Sequence, residues 1–186
     1  MHIERIETRL SDYRPTMMSD TGSLTPSAVL VPIIEREDSL ELLFTLRRSD
    51  LVAHPGQVSF PGGRIDPEDT DSWATALREC EEEIGIHSSS IQRLGRLSDL
   101  PVITNFVITP WVARVTDLGP YIASQREVAE IFTVSLNKLM DVRQRRTAIF
   151  SRFGKAERVY FFHGGPHVIW GATAAIIAEL LSVLED

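Results

Sequence analysis

The chain has 186 residues, 43% hydrophobic and 24% charged, which is typical of one globular domain large enough to fold unaided. Its net charge of −7 argues against a nucleic-acid polymer as partner, so a pocket for a phosphorylated molecule needs positive charge of its own. No apolar run approaches the roughly 18 residues of a membrane span, the N-terminus lacks a signal-peptide core, and the single cysteine excludes an internal disulfide. We therefore expect a cytoplasmic protein that does not enter membranes.

The chain begins with a predicted amphipathic helix, followed by a connector. Apolar side chains recur there at helical spacing, at Ile3, Ile6, Leu10 and Tyr13. Pro15 ends the pattern. This helix packs either on the rest of the chain or on a second subunit, which leaves a homodimer open. We assign residues 1–24 to the helix and connector, and residues 25–186 to one domain.

The domain is predicted to alternate strands with a few helices. Apolar and β-branched runs predict strands at 28–34, 40–46, 91–97, 106–115, 148–153 and 158–162. Pro110 interrupts the fourth run and suggests an edge strand or a bulge. Residues 127–135 are interpreted as a loop entering a strand, 136–140 as a helical turn, and the last fifteen or so residues as a helix. This pattern fits an α/β fold with three α/β/α layers around a mixed sheet.

Acidic side chains concentrate in the middle helix, which is predicted to begin near Asp71 and to end at Gly85. Its apolar stripe is predicted to face the core and consists of Trp73, Leu77, Cys80 and Ile84. On this stripe Cys80 is interpreted as a small buried hydrophobe rather than a nucleophile.

Three glutamates, Glu79, Glu82 and Glu83, are predicted to share a different face of that helix, one turn apart. Like charges at this spacing repel by about 0.2–0.5 kcal/mol per pair, so a bound cation would account for them. Ligation by oxygen alone suits Mg²⁺ or Mn²⁺. The alternative is a solvated acidic face with no ligand.

Two segments before the helix complete a candidate diphosphate and metal site. The sequence Phe60-Pro61-Gly62-Gly63 predicts a strand and a tight turn whose backbone can approach a metal or a phosphate. The polar loop 47–57 leads directly into this strand and carries basic groups. The alternative reading is solvated charge at a strand end. Trp111 and Trp170 lie in apolar runs, where core packing is favoured over stacking on an adenine.

The segment from Gly63 to Ile86 resembles the Nudix box, G-x5-E-x7-R-E-U-x-E-E-x-G-U, in which U is apolar. Its second half, RECEEEIGI, matches at every fixed position. In the first half, five residues separate Gly63 from Asp69 and eight separate Asp69 from Arg78. Choosing Glu68 instead gives spacings of four and nine, and we assign neither acid a role. The resemblance implies a Nudix-type three-layer α/β/α sandwich with a mixed sheet.

The same resemblance implies metal-dependent hydrolysis of a diphosphate link. Glu79, Glu82 and Glu83 would hold Mg²⁺ or Mn²⁺, and Arg78 would orient Glu79 through a bidentate pair. Nudix enzymes often recruit a further acid from a distant loop, for which Glu127 is the candidate and Glu130 the second choice. The implied catalytic residues are Arg78, Glu79, Glu82 and Glu127.

A wider resemblance, over residues 27–183, is to the coenzyme A pyrophosphatases. It is carried by LFTLRRS at 43–49, by HPGQVSFPGG at 54–63, and by EVAEIF and IWGATA further on. Val52 stands where that signature has an arginine, which Arg48 or Arg64 would replace. The resemblance implies a substrate-binding set of Arg47, Arg48, His54, Gly56, Gln57, Gly62 and Gly63.

The substrate implied by this likeness is coenzyme A or a derivative, cleaved to 3′,5′-ADP and 4′-phosphopantetheine or its acyl form. A second reading is a Nudix hydrolase of another nucleoside diphosphate derivative, such as NADH, ADP-ribose or a dinucleotide. A third is a non-catalytic module that binds a nucleotide, which the intact helix glutamates disfavour.

Overall fold

The computed structural model describes residues 1–152 and 155–185. Eight strands form the main sheet: β1 (Thr25–Glu35), β2 (Leu40–Arg47), β3 (Val58–Ser59), β4 (Gly62–Arg64), β5 (Ile91–Arg96), β6 (Leu100–Val102), β7 (Phe106–Val115) and β8 (Val128–Ser135). The order across the sheet is β3-β2-β1-β7-β5, with β4 beside β1, β6 beside β7 and β8 beside β2.

Within the described residues, a second sheet and four α-helices complete the fold. The second sheet has the order β11-β10-β9 and consists of β9 (Arg145–Arg152), β10 (Lys155–Phe162) and β11 (Ile169–Trp170). The α-helices are α1 (Ile3–Asp12), α2 (Ser72–Ile84), α3 (Leu136–Met140) and α4 (Gly171–Glu185). Two short 3₁₀ turns cover Ser88–Ser90 and Val142–Gln144.

The two central strands, β1 and β7, run parallel, whereas the other pairs of the main sheet are antiparallel. Side chains of β1 alternate between two separate cores because successive residues of a strand point to opposite faces. Leu30 and Ile34 join the core under α2, while Val31 and Ile33 join the core under α1 and α4. The mixed sheet is thus covered on both faces, which confirms the predicted α/β/α arrangement.

Helix α1 packs on its own chain. Ile3, Ile6 and Leu10 are buried in the same core as α4. The hydroxyl of Tyr13, just after the helix, donates a 2.7 Å hydrogen bond to Glu179 of α4. The sequence left open whether this helix packs on the rest of the chain or on a second subunit. In the structure it packs on the rest of the chain.

The prediction that Pro110 marks an edge strand or a bulge is wrong. Pro110 lies within β7, opposite Val29 of β1, and its carbonyl accepts a 3.0 Å hydrogen bond from Leu97 on the other side. A strand residue directs its nitrogen and its carbonyl to the same side. The proline nitrogen therefore faces the break between β5 and β6, where no strand partner needs its missing N–H.

Several other boundaries differ from the sequence-based prediction. The segment predicted at 127–135 as a loop entering a strand is a strand from Val128 onward. The two strands predicted at 148–153 and 158–162 are longer in the structure, where they form the antiparallel pair β9 and β10. Phe153, the predicted end of the first of these strands, lies outside the described residues. Trp170 is 48% exposed, so its predicted place in the core is wrong, whereas Trp111 is half-buried. Within the described part of the chain, no helix is both long and apolar enough to cross a membrane.

Candidate active site

Helix α2 carries the acidic residues and is capped at both ends. The Asp71 side chain accepts a 2.8 Å hydrogen bond from the backbone N–H of Ala74, as N-caps do. Gly85 ends the helix at φ 72°, in the left-handed region that favours glycine. The buried residues of the helix are Thr75, Ala76, Cys80, Glu83 and Ile84. Trp73 and Leu77, predicted for the core stripe, are only half-buried.

Strand β4 brings backbone directly against this helix. A Cβ atom added to Gly63 would lie 2.3 Å from Oε1 of Glu79, and one added to Gly62 would lie 2.3 Å from the carbonyl oxygen of Ala28. Neither position has space for a side chain. Gly63 therefore allows β4 to approach the Glu79 carboxylate, and Gly62 allows it to approach β1. The approach to a metal or a phosphate that the sequence predicted stays a prediction.

The side chain of Arg78 is held by two acids. Its Nε and Nη2 donate to Oδ1 and Oδ2 of Asp69 at 3.1 and 3.0 Å, and its Nη1 donates to Oε1 of Glu79 at 2.9 Å. The bidentate partner of Arg78 is therefore Asp69, which corrects the predicted bidentate pair with Glu79. Arg78 still fixes the Glu79 carboxylate through its remaining nitrogen.

Asp69 is a residue of the site whose role sequence reasoning missed. Its carboxylate also accepts hydrogen bonds from the Thr75 hydroxyl, at 2.8 Å, and from the backbone of Asp66, at 3.0 Å. These bonds, led by those from Arg78, lower the pKa of Asp69 strongly. Glu68 is exposed. The five residues between Gly63 and Asp69, as in the Nudix pattern, were the signal that could have distinguished Asp69 from Glu68.

The three helix glutamates have different environments. The side chains of Glu79, Glu82 and Glu83 are 17%, 61% and 5% exposed. The sequence placed all three on one face, but Glu83 lies one turn after Cys80 and so borders the buried stripe. In residues 1–152 and 155–185 no three acidic, histidine or cysteine side chains converge as a ready-made metal site. Two of these glutamates are instead drawn toward Arg78, Glu79 at 2.9 Å and Glu82 at 3.6 Å.

Arg47 lies between Glu83 and Glu127. Its Nη1 is 3.7 Å from Oε1 of Glu83 and 3.4 Å from Oε2 of Glu127. Glu127 precedes β8, whose pairing with β2 brings it beside Arg47 from far along the chain. Among the described residues, Nε of Arg47 and Oε2 of Glu83 are buried and have no hydrogen-bond partner. The pairing of Arg47 with Glu83 is therefore incomplete.

Burial is the main cause that raises the pKa of Glu83, to about 8. The carboxylates of Glu79 and Glu127 raise it further, and Arg47 opposes them. Burial likewise raises the pKa of Glu79, against the effect of Arg78. A group of buried carboxylate oxygens that resist ionisation and include an unpaired oxygen fits a hard divalent cation, which would supply the missing positive charge.

The loop 47–57 is closed at its base by the backbone N–H of Arg47, which donates to the carbonyl of Gln57 at 2.9 Å. His54 and Gly56 at its tip are exposed and have positive φ angles of 54° and 65°. The His54 ring contacts the Gln57 side chain at 2.9 Å. The tip residues predicted to bind substrate are therefore arranged among themselves and do not contact the carboxylates.

Arg48 points away from Glu83, in contrast to Arg47. It makes a bidentate pair with Asp50, at 2.9 and 2.7 Å, on the exposed surface of the loop. Val52 is fully exposed nearby. Arg64, the other possible replacement for the absent signature arginine, lies 5.2 Å from the centre of the Phe106 ring. Glu130 pairs with His167 at 2.8 Å, so of the two candidate acids only Glu127 faces Arg47.

Comparison with known proteins identifies the class. The NUDIX domain family matches residues 24–153, so the chain belongs to the Nudix family. A relative from Photorhabdus laumondii, named as uncharacterized Nudix hydrolase NudL, is 40% identical over 166 residues and covers 89% of this chain and 87% of its own length. The chain is thus a Nudix hydrolase, a class that generally uses divalent metal ions.

Two solved structures share the fold at low identity. The Nudix hydrolase RenU from M. smegmatis has a TM-score of 0.56 at 15% identity, over 87% of this chain and 86% of that chain. The NUDIX domain of Shewanella oneidensis NrtR, solved in complex with ADP ribose, has a TM-score of 0.51 at 18% identity, over 72% of this chain and 84% of that chain. Such likenesses establish the architecture alone.

Proposed function

We propose that this Nudix hydrolase cleaves the diphosphate bond of coenzyme A or a derivative, giving 3′,5′-ADP and 4′-phosphopantetheine or its acyl form. The observation that supports this chemistry is the close approach of β4, at Gly63, to the carboxylate of Glu79 on the helix that also carries the buried Glu83. The choice of coenzyme A is supported by the signature resemblance at 43–49 and 54–63 and by the two arginines that begin the loop.

Each residue of the site has a defined part in this proposal. Glu79, Glu82 and Glu83 would hold Mg²⁺ or Mn²⁺, which when bound would neutralise diphosphate oxygens and acidify a water. Arg78, itself held by Asp69, keeps Glu79 oriented toward β4. Gly63 lets β4 lie against the Glu79 carboxylate, and Gly62 lets it lie against β1. Glu127, 3.4 Å from Arg47, supplies a further carboxylate.

Arg48 is our candidate for the 3′-phosphate that distinguishes coenzyme A from its dephosphorylated form. Its guanidinium is exposed, and among the residues that the structure describes it pairs with Asp50 and with the carbonyl of Gln125, at 3.1 Å. A phosphate can replace one of these partners, and a charge-assisted hydrogen bond to it is worth roughly 1.5–3 kcal/mol. Arg48→Met should then weaken kcat/KM for coenzyme A about 10- to 150-fold, with much less effect on dephospho-coenzyme A.

The decisive experiment is a substrate panel with the purified protein. Coenzyme A, dephospho-coenzyme A, NADH and ADP-ribose are each incubated with Mg²⁺ or Mn²⁺ and with excess EDTA, and the products are separated by chromatography. We expect the highest kcat/KM for coenzyme A, with 3′,5′-ADP as a product, and no turnover in EDTA. Faster cleavage of NADH or ADP-ribose would replace the proposed substrate. Nucleotide binding without any cleavage would indicate a non-catalytic module.

ADP-ribose is the second candidate substrate. Val52 is an exposed apolar residue at the position of the signature arginine, so one expected phosphate contact is missing from the loop. The related fold of the NrtR domain was solved with ADP ribose, which contains the same diphosphate link without a 3′-phosphate. The panel above separates the two candidates directly.

A further inference from the structure

The contacts of Arg47 set it apart from the other arginine of its loop. Arg47 is the last residue of β2, and its backbone is fixed by the hydrogen bond to Gln57. Its side chain is only 21% exposed, and Nη1 lies within 4 Å of two carboxylates, those of Glu83 and Glu127. Arg48, by contrast, is paired with Asp50 in solvent.

Two unsatisfied buried atoms show that this arrangement of Arg47 is incomplete. In the part of the chain that the structure describes, Nε of Arg47 is a donor without an acceptor, and Oε2 of Glu83 is an acceptor without a donor. A buried polar atom left unpaired is destabilising, so each atom favours binding a partner. A phosphate oxygen would satisfy the donor, and a cation would satisfy the acceptor.

We propose that Arg47 exchanges partners during the reaction cycle: it pairs with Glu83 and Glu127 before a divalent ion binds, and it turns to the diphosphate oxygens afterwards. This inference rests on the proposed metal-dependent function and adds a competition between the arginine and the metal. With a divalent ion held by Glu83, the positive charge of Arg47 would no longer be favoured beside that carboxylate. Its guanidinium would then be free to donate from Nε to a phosphate oxygen.

The exchange predicts opposite effects on two ligands when Arg47 is removed. Arg47→Met removes a positive charge next to Glu83 and Glu127, so Mg²⁺ should bind about 10- to 100-fold more tightly, the range expected from a lost charge-assisted contact. The same variant should bind a diphosphate analogue, methylenebisphosphonate, about 10- to 100-fold more weakly in saturating Mg²⁺.

The measurement is calorimetric titration of Mg²⁺, followed by titration of methylenebisphosphonate into the Mg²⁺-saturated protein. It is made at the same pH and ionic strength for every variant. Arg48→Met is the matched control, because it removes the same charge one residue away without touching either glutamate, and its Mg²⁺ affinity should stay within about twofold of wild type. Arg47→Gln serves as a second charge-removing variant if the methionine variant does not fold.

The outcomes distinguish this inference from the function on which it rests. If the Arg47 variants bind Mg²⁺ no more tightly than wild type, the exchange is refuted, even where they bind the bisphosphonate less well. If wild type takes up no Mg²⁺ at all, the metal-dependent function fails first. The bisphosphonate has neither adenosine nor pantetheine, so neither result depends on which diphosphate ester is the natural substrate.

Discussion

Asp69 accepts two hydrogen bonds from Arg78 and one from Thr75, and only 7% of its side chain is exposed. Asp69→Asn should therefore destabilise the fold by about 2–3 kcal/mol, because it leaves the arginine without its main partner. It should also lower kcat, since Arg78 would no longer hold Glu79 in place. Urea unfolding measures the first effect and turnover the second.

The matched control for Asp69 is the neighbouring acid. Glu68→Gln changes an exposed carboxylate, so its unfolding free energy should stay within about 0.5 kcal/mol of wild type. Equal losses in the two variants would contradict the structural assignment of Asp69 as the partner of Arg78.

Glu83 should give the protein an unusual pH dependence. Burial raises its pKa to about 8 in the native state, from a value of 4.5 in the unfolded chain. Between these values the native state holds a proton that the unfolded chain has lost, so stability falls as pH rises. In EDTA, the free energy of unfolding of Glu83→Gln should fall by about 2–4 kcal/mol less than that of wild type between pH 5 and pH 8. Urea unfolding at each pH measures this difference.

The exposed Glu82 provides the comparison for this profile. Glu82→Gln should retain the wild-type decline with pH, yet both variants should lose most of their turnover at saturating Mg²⁺, because both glutamates are proposed metal ligands. Normal turnover in either variant would refute that assignment, and an unchanged pH profile in Glu83→Gln would refute the burial argument.

At the level of single residues, the sequence predicted which glutamates share helix α2 better than it predicted the burial and the pairing of each side chain. The glutamate spacing placed Glu79, Glu82 and Glu83 on one helix, and this is what the structure has. Burial of Glu83 and the pairing of Arg78 with Asp69 were missed because both depend on how closely the helix packs against the sheet and the preceding loop. Spacing within one element carries no information on that packing.

Between elements, the contact of β4 with α2 leaves no room for a side chain at Gly63. Gly63→Ala would place Cβ 2.3 Å from Oε1 of Glu79, so the carboxylate must move. We expect about a 100-fold loss of kcat, since a displacement of about 1 Å can cost that much, with a stability loss of only about 1–2 kcal/mol. Steady-state kinetics and thermal unfolding of the variant test this, and full activity would show that the Glu79 position is not critical.

Elements whose bounds are marked by nearby residues of the sequence were predicted well. Features that depend on contacts with distant parts of the chain were not. Helix α2 has an N-cap aspartate, an apolar stripe and a terminal glycine, and it lies close to its predicted bounds. Pro110 was misjudged because the gap between β5 and β6 that accommodates it is formed by distant residues. Strand β8 was taken in part for a loop because its alternation is broken by the exposed pair Ala129 and Glu130.

For the whole molecule, Cys80 provides a probe of global unfolding. It is completely buried between α2 and the sheet, and burial raises its thiol pKa to about 12. A thiol reagent at pH 8 should therefore leave the native protein unlabelled and active, and label one site per chain in denaturant. Labelling followed over time should match the unfolding rate, with Cys80→Ala as the blank. Rapid labelling of native protein with loss of turnover would contradict the buried, non-catalytic interpretation of Cys80.

The ion pair of Arg47 with Glu127 joins residues that are 80 positions apart. It forms only when β8 has paired with β2, after the chain between them has closed a long loop. Contacts of such high sequence separation slow folding, and the parallel pairing of β1 with β7 imposes a similar requirement. Part of the proposed active site is therefore absent from any intermediate that contains only the first half of the chain. During refolding or synthesis, helix α2 should form early as an acidic segment, and activity should appear only in the last kinetic phase.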